Sequence, residues 1–171
     1  MLPRHQDMAE GDILIGVASS GPHSNGYSLI RKVVERSGLS WEDPSPFAKG
    51  LTLGASLMTP TKIYIKCALP LIRDGLVSGL AHITGGGITD NTPRMLPDNL
   101  RPDFDYEAWP RPPVFQWLQE TGNISETEMR RAFNCGIGLV LCVKPDHVDA
   151  VMARLDTSGE TAWVIGTLTS V

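Results

Sequence analysis

The chain has 171 residues, of which 42% are hydrophobic, and it carries a formal net charge of −4 at pH 7. This length and composition suit one globular domain with a sizeable core and leave little room for two. The acidic balance, with an isoelectric point near 5.5 and no run of basic residues, argues against a nucleic-acid surface. No apolar stretch approaches the roughly 20 residues that span a bilayer, and the first residues lack a signal-peptide core. We therefore expect a cytoplasmic protein with no nucleic-acid or membrane partner.

The segment from Gly11 to Arg36 predicts a strand, a loop and a helix in that order. Residues 13–18, ILIGVA, form a short apolar run that is typical of a buried strand. From Tyr27 onward, apolar residues recur at helical spacing. The loop between them, SSGPHSNG at 19–26, combines glycines that permit close backbone approach with hydroxyl, amide and imidazole groups. Such a loop before a helix suits an anion such as phosphate, although serine and asparagine also serve as ordinary helix caps.

The next part of the chain predicts a long connection and a second helix. Residues 37–56 are rich in Gly, Pro, Ser and Asp, which indicates a surface connection of about 20 residues. Thr59 and Pro60 suit the N-cap and the first position of a helix that ends at Gly75. Pro70 lies inside this predicted helix, where we expect a kink or a new turn.

A second strand, glycine loop and helix follow. LAHIT at 80–84 predicts a strand that runs into Gly85, Gly86 and Gly87, and residues 88–95 predict a short helix. Ordering three glycines costs conformational entropy of the order of 1 kcal/mol each relative to alanine. Two explanations would justify this cost. Either a ligand or another backbone segment approaches the glycines closely, which a Cβ atom would prevent, or the turn requires a conformation that residues with a Cβ atom cannot adopt. The run fits neither a Walker loop nor a GxGxxG fingerprint, because no GK[ST] follows it.

The remaining sequence predicts further alternation of strands and helices. Ser125 and Glu128 form a capping box, which marks one helix start. The predicted elements are a strand at 104–109, helices that begin near 111 and at 126, a strand at 137–143, a helix at 147–155 and a strand at 162–169. Helices that cross between strands favour a mixed sheet with helices packed on it.

Other site chemistries find little support in the residue pattern. The four histidines show no HxH or HExxH spacing, the three cysteines form no CxxC pair, and no serine lies in a GxSxG elbow. The acidic residues after the glycine run are scattered, which is more typical of solvated carboxylates than of a magnesium site. We therefore predict no metal site in this chain and three reduced thiols. His82 lies in an apolar strand three residues before the glycines, and it suits either a core histidine or a functional one.

Six segments, taken in order, resemble the C-terminal domain of aminoimidazole ribonucleotide synthetase, also called phosphoribosylformylglycinamidine cyclo-ligase. They are SSGPHSNGYSLIRK at 19–32, TPTKIYIK at 59–66, AHITGGGITDNTPRMLPDN at 81–99, VFQWLQETGNISETEM at 114–129, FNCGIGLVL at 133–141 and AWVIG at 162–166. The resemblance covers nearly the whole chain and is weakest at residues 39–57. It implies an α+β fold, with a mixed β-sheet that has helices on both faces and is partly ferredoxin-like. Residues 1–171 would form a single domain.

The resemblance also implies a function in de novo purine biosynthesis. Members of this family use ATP and Mg²⁺ to convert formylglycinamidine ribonucleotide to aminoimidazole ribonucleotide. This chain would be the substrate-binding, C-terminal half, and the N-terminal domain that binds ATP and Mg²⁺ would be absent from it. We therefore expect formylglycinamidine ribonucleotide and that N-terminal domain as partners, a homodimer for the full-length protein, and an isolated domain without turnover. Whether the parent protein is monofunctional or fused to other purine enzymes stays open.

The family's motifs select the candidate site residues. Three are predicted to be catalytic, namely His23, Asn25 and His82. Ten are predicted to bind substrate, namely Ser20, Gly21, Ser24, Gly26, Thr84, Gly85, Gly86, Gly87, Asn134 and Gly136. We expect backbone N–H groups near Gly21 and in the glycine run to hold phosphoryl oxygens, while His23 and Asn25 orient the substrate amides.

Two alternatives remain open from the sequence. The first is a related superfamily member, such as formylglycinamidine ribonucleotide synthetase, selenophosphate synthetase or thiamine monophosphate kinase. The second is a non-catalytic ligand-binding or assembly module that kept the fold. All of the ligand-binding hypotheses require the loops at 20–26 and 82–87 to face one cleft.

Overall fold

The computed structural model describes residues 1–171 as a single five-stranded sheet with seven α-helices around it. The strands are β1 (Ile13–Ala18), β2 (Gly79–His82), β3 (Leu100–Phe104), β4 (Ile137–Val143) and β5 (Ala162–Ser170). The helices are α1 (Tyr27–Ser37), α2 (Leu53–Leu57), α3 (Ile65–Arg73), α4 (Gly87–Asn91), α5 (Pro113–Gly122), α6 (Glu126–Ala132) and α7 (Val148–Thr157). Short 3-10 helices occupy His5–Asp7, Thr92–Met95 and Pro145–His147. None of these helices has both the length and the apolar character needed to cross a bilayer.

The sheet has the order β2-β4-β1-β5-β3, and all four neighbouring pairs are antiparallel. The α+β class is confirmed, but the sheet is not mixed as the sequence predicted. The crossing helices do connect parallel strands, yet each pair of parallel strands is separated by another strand. β4 lies between β1 and β2, and β1 lies between β4 and β5. This split βαβ arrangement is the ferredoxin-like pattern, to which β3 adds a fifth, outer strand.

Burial along the strands explains their places in the sheet. All seven residues of β4 are buried, and the four residues from Leu14 to Val17 in β1 are buried as well. Strands with apolar side chains on both faces must lie in the middle of the sheet with both faces covered. β3 contains Pro102, which has no N–H to donate, and it forms an outer edge where that donor is not needed.

Helices cover both faces of the sheet, as the sequence predicted. On one face, α3 and α7 pack against alternate residues of β1 and β4, among them Ile15, Val17, Leu139 and Leu141. On the other face, α4 and the following 3-10 helix pack with Trp109 against Leu14, Val140 and Ile165. A third cluster joins α1, α2, α5 and α6 around Phe115 and Phe133.

Three predicted segments differ from the structure. The connection predicted at 37–56 is interrupted by α2, which begins at Leu53. The predicted helix start at Thr59 and Pro60 is wrong, because α3 begins only at Ile65. The Pro60 carbonyl instead accepts a hydrogen bond from Ser20 in a distant loop, and Thr59 Oγ1 donates to Ser56 O at the end of α2. The predicted strand at 104–109 is also displaced, since β3 ends at Phe104 and the next residues turn.

Candidate functional site

The candidate site lies beyond the C-terminal ends of β1 and β2, where three segments that are far apart in sequence meet. β1 and β2 run in the same direction, so the loops that follow them leave the sheet on the same side, which we call the site edge. We call residues 19–26 the serine loop and residues 83–87 the glycine loop. β4 runs the opposite way, which brings the residues just before it to this edge too. The fold therefore gathers all three sequence motifs that supplied the predicted site residues.

Direct distances confirm that the two loops lie together. The ring centroids of His23 and His82 are 6.1 Å apart. An ideal Cβ built on Gly85 would lie 3.9 Å from Asn25 Oδ1. The loops thus face each other across a few ångströms, which is the condition that every ligand-binding hypothesis required.

Asn134 holds the serine loop from beneath. Its Nδ2 donates to Gly21 O at 2.8 Å, and its Oδ1 accepts from Ser19 Oγ at 3.0 Å and from Gly136 N at 2.9 Å. The side chain is only 1% exposed. Gly136 is buried as well, and a Cβ there would lie 2.7 Å from Pro112 Cδ. These contacts favour a positioning role for both residues over direct contact with a ligand.

His23 is the most buried polar group of the serine loop. It is 3% exposed, has the left-handed φ of 56°, and accepts a hydrogen bond from Ser20 N at 3.2 Å through Nε2. Burial, reinforced by the nearby His82 and Lys62 charges, lowers the pKa of His23 to about 4. The imidazole is therefore neutral at pH 7, and its bond to Ser20 assigns the proton to Nδ1. Nδ1 has no hydrogen-bond partner within the chain.

Tyr64 forms an aromatic group with the two histidines. Its ring centroid lies 6.2 Å from that of His23 and 6.0 Å from that of His82, and its hydroxyl donates to Ala18 O at 2.8 Å. Burial raises the pKa of Tyr64 well above its usual range, so the hydroxyl stays protonated. Sequence reasoning placed this residue inside the helix predicted to begin at Thr59 and missed its contact with the site.

Gly138 makes room for this aromatic group inside the sheet. The pairing of β1 with β4 shifts between Val17 and Ala18, which leaves Gly138 as the extra residue of a β-bulge. A Cβ on Gly138 would lie 2.0 Å from Tyr64 Oη and 2.6 Å from His23 Cε1. Only glycine fits at this position without moving one of the two rings.

The segment 59–64 closes one side of the serine loop. Ser20 Oγ donates to Pro60 O at 2.7 Å, and the hydroxyls of Ser24 and Thr61 lie 3.2 Å apart. Lys62 forms an ion pair with Glu160 just before β5. This segment belongs to the TPTKIYIK motif, but the local pattern of Thr and Pro suggested a helix start rather than contact with a loop 40 residues away.

The three glycines of the glycine loop have different surroundings. Gly87 has φ 63°, and a Cβ there would lie 1.9 Å from Arg130 O, so the backbone of α6 approaches it closely. Gly86 has φ 98°, and a Cβ would lie 2.8 Å from Asp90 Cβ. Gly85 is outside the left-handed region and has no atom nearer than Asn25 Oδ1 at 3.9 Å. The fold explains Gly86 and Gly87, and it leaves Gly85 open to a ligand.

Asn91, which sequence reasoning missed, fixes the path of the glycine loop. Its buried Nδ2 donates to the carbonyls of Thr84, Gly85 and Gly87, the last at 2.7 Å. Thr84 Oγ1 in turn donates to Asn91 Oδ1 at 3.0 Å. The glycine loop is therefore held in one shape by a single amide.

His82 and Asn25 are free polar side chains at the contact between the two loops. His82 is exposed at the end of β2, which excludes the core-histidine interpretation. Neither side chain makes a hydrogen bond within the chain, whereas most of the other polar side chains at this edge are already paired. Gly26 caps α1 with φ 74°, and a Cβ there would overlap Phe133 at 2.3 Å from Cε1, so its role in the fold is structural.

A cleft of about 630 Å³ lies between α1 and residues 58–61, next to the serine loop. Its walls are formed by His23, Ser24, Tyr27, Arg31, Met58, Thr59, Pro60 and Thr61. An apolar groove of about 410 Å³ lies on the other side of Tyr64, between α3 and β2, and also reaches His82. No acidic side chain lines either space. Arg31 is a further residue that sequence reasoning did not select.

The arrangement suits binding and orientation more than nucleophilic or metal chemistry. No group of three or more His, Cys, Asp or Glu side chains converges to hold a metal ion. Burial raises the pKa of Cys135 to about 11, so its thiol is not the reactive thiolate at pH 7. The groups that remain at the site are hydroxyls, an amide, a neutral imidazole and unpaired backbone N–H groups. All of these can donate hydrogen bonds to a polar or anionic ligand.

A family model described as AIR synthase related protein, C-terminal domain, matches residues 9–171. The chain belongs to this family. The match spans the serine loop, the glycine loop and the turn before β4, so the candidate site lies wholly inside the AIR synthase related domain.

Solved structures share the fold of this AIR synthase related domain. E. coli HypE, a hydrogenase maturation protein, matches with a TM-score of 0.60 and 18% identity, over 98% of this chain and 46% of HypE. Thiamine-monophosphate kinase from Stenotrophomonas maltophilia matches with a TM-score of 0.64 and 15% identity, over 99% of this chain and 51% of the kinase. T. maritima PurL complexed with FGAR matches with a TM-score of 0.55 and 13% identity, over 94% of this chain and 24% of PurL.

These likenesses show the fold alone, because the identities are low. The chain spans about half the length of HypE and of the kinase. PurL was also solved with ADP and with AMPPCP, so the fold occurs in proteins that bind adenine nucleotides.

Proposed function

We propose that this chain is the substrate-binding half of an ATP-dependent cyclo-ligase that converts formylglycinamidine ribonucleotide to aminoimidazole ribonucleotide. The observation that supports it most is the meeting of the serine loop with the end of β2 and the glycine loop, in a member of the AIR synthase related family. The ring centroids of His23 and His82 are 6.1 Å apart there. T. maritima PurL, which has this fold, was solved with FGAR bound. In the proposed reaction ATP phosphorylates the formyl oxygen, the ribosyl-bearing nitrogen attacks that carbon, and phosphate leaves.

The proposed roles follow from which groups are free. Asn25 and His82 have unpaired side chains at the loop contact and would orient the amidine and formyl groups. His23 would act as a neutral hydrogen-bond donor, since its pKa near 4 rules out a positive charge at pH 7. Gly85 lets a ligand approach the backbone. Phosphoryl transfer depends mainly on positioning and charge stabilisation, which is consistent with a site made of donors.

The chain has no group of three or more acidic, imidazole or thiol side chains that could hold a metal ion. As part of the proposal, we assign nucleotide and Mg²⁺ binding mainly to a companion N-terminal domain outside these 171 residues. That domain, together with a homodimer of the full-length protein, belongs to the proposal. The isolated chain is expected to bind substrate without turnover.

Calorimetry of this chain with two ligands tests the proposal. Formylglycinamidine ribonucleotide should bind in the absence of nucleotide, whereas ATP alone should give no heat of binding. Asn25→Ala is the site variant, and Ser28→Ala, on the exposed side of α1, is the matched control. Loss of at least tenfold in affinity, about 1.4 kcal/mol, is expected for Asn25→Ala only. Equal affinities in the two variants would remove the loop from the site.

The likeness to thiamine-monophosphate kinase favours one alternative, a small-molecule kinase. Thiamine monophosphate therefore belongs in the same calorimetry as a competing ligand. Binding of thiamine monophosphate with no binding of the amidine ribonucleotide would replace the cyclo-ligase proposal by the kinase alternative.

A further inference from the structure

The cleft between α1 and residues 58–61 contains a cationic side chain with no partner. Arg31 lines the cleft and forms none of the six ion pairs of the structure. It also makes no hydrogen bond within the chain, and none of the eight residues that line the cleft is acidic. An unneutralised guanidinium in a concave site is a ready partner for an anion, and its planar fork matches phosphate oxygens in pairs.

Hydroxyl groups converge on the same space. Tyr27 and Arg31 are one helical turn apart, so their side chains share a face of α1. Opposite them, Ser24 Oγ and Thr61 Oγ1 lie 3.2 Å apart, and a single hydrogen bond between them leaves one of the two protons free. The cleft therefore offers both a charge and a neutral donor to a ligand oxygen.

His23 provides an independent observation. Its ring is 97% buried and lines the cleft, yet Nδ1 has no hydrogen-bond partner within the chain. Since Nε2 accepts from Ser20, Nδ1 is the protonated atom and needs an acceptor. A buried donor without a partner is costly and uncommon in folded proteins. Nδ1 is closed to solvent in this conformation, so a ligand oxygen at the inner end of the cleft would satisfy it after a small shift of the ring or of the atoms that cover it.

We propose that this cleft is the seat of a phosphate monoester, with Arg31 as the charge partner and Ser24, Thr61 and His23 as neutral donors. Its volume of about 630 Å³ lies in the range of small-molecule sites and suits a sugar phosphate. His23 connects the seat to the loop contact at His82, so the rest of the ligand would extend toward Asn25 and Gly85. This phosphate-binding site, called the seat below, depends on the proposed function in one respect only: we take the monoester to be the 5′-phosphate of the ribonucleotide.

Ribose 5-phosphate, titrated into the full 171-residue chain, is the probe. The wild type should bind it, and Arg31→Gln should weaken binding at least about tenfold, because a charge-assisted hydrogen bond is lost. Lys32→Gln removes the same charge from the next residue of α1, which does not line the cleft. Both side chains are exposed, so neither change should alter folding, which circular dichroism would check. The control should bind within about twofold of the wild type, allowing for loss of one screened surface charge.

Three outcomes would overturn the seat. In the first, the wild type does not bind ribose 5-phosphate. In the second, Arg31→Gln and Lys32→Gln weaken binding equally, and in the third, Arg31→Gln leaves the affinity unchanged.

Different results would overturn the proposed function. If ribose 5-phosphate binds through Arg31 but formylglycinamidine ribonucleotide binds no better than the sugar phosphate, the seat stands and the cyclo-ligase assignment falls. If the ribonucleotide binds equally well to wild type and Arg31→Gln, the seat falls alone.

Discussion

Alanine substitution at Gly85 and Gly87 separates a ligand role of the glycine run from a structural one. At Gly87 the new Cβ would lie 1.9 Å from Arg130 O and 2.8 Å from Phe133 O, and the residue has φ 63°. The left-handed conformation costs a residue with Cβ about 1–2 kcal/mol, and relief of the overlap with α6 costs about 1–3 kcal/mol more. We therefore expect Gly87→Ala to lower the free energy of unfolding by roughly 2–5 kcal/mol.

Gly85→Ala should behave in the opposite way. Its φ lies outside the left-handed region, and the new Cβ would have only Asn25 Oδ1 near it, at 3.9 Å. The stability should stay within about 0.5 kcal/mol of the wild type or rise slightly, because alanine restricts the unfolded chain. Ligand affinity should nevertheless fall, since the methyl group stands where the loops meet.

Urea unfolding, followed by the fluorescence of the four tryptophans, measures the first effect. With a slope of about 2 kcal/mol/M, Gly87→Ala should lower the midpoint by roughly 1–2.5 M, and Gly85→Ala should leave it nearly unchanged. Calorimetry with formylglycinamidine ribonucleotide measures the second effect. If Gly85→Ala unfolds as early as Gly87→Ala, the whole run is structural and the assignment of Gly85 to a ligand is refuted. If Gly87→Ala is neutral, the packing of α6 against the loop is refuted instead.

Two further predictions concern the aromatic group. His23 has a pKa near 4 against about 6.5 unfolded, so the unfolded chain binds more protons between these values and stability falls as pH drops through this window. Wild type should lose about 3 kcal/mol between pH 6.5 and 4 relative to His23→Asn, a variant that tolerates the left-handed φ; parallel urea midpoints across that range in both proteins would exclude the burial of a neutral ring. Gly138→Ala should destabilise the fold by about 2–4 kcal/mol, through overlap with Tyr64 Oη at 2.0 Å and loss of its bond to Ala18 O. The same change in a Tyr64→Phe background should cost less, and additive effects in the double variant would mean that the two residues do not compete for space.

Local patterns predicted most elements, because their signals lie within a few residues. The apolar runs of β1 and β4 and the helical spacing after Tyr27 gave those elements nearly to the residue. At α6, the predicted cap is also present, with Ser125 Oγ accepting from Glu128 N at 3.3 Å. Local patterns failed where a distant partner competes, as at Pro60, whose carbonyl is bonded to Ser20. The antiparallel sheet was missed for the same reason, since strand neighbours depend on which strand inserts between two others.

The sequence predicted which loops form the candidate site, but not which side chains in those loops are free to contact a ligand. The motifs selected residues that the fold does bring together, yet they did not separate free groups from paired ones. Asn134 and Asn25 have the same side chain, but Asn134 is 1% exposed with three hydrogen bonds, whereas Asn25 is unpaired. Tyr64, Asn91 and Arg31 were missed because their places near the site depend on which segments, far apart in sequence, the fold brings together.

The bulge at Gly138 has a consequence for the time scale on which the site moves. Because the imidazole of His23 is seated against the backbone of β4, its position follows the sheet rather than the exposed tip of its own loop. The amide protons of Leu139 and Leu141, inside a strand paired on both sides, should exchange with solvent only on global opening, whereas that of the exposed Ser24 should exchange within seconds. A ligand that contacts both His23 and the exposed tip of the loop would thus bridge a slowly exchanging part of the protein and a rapidly exchanging one.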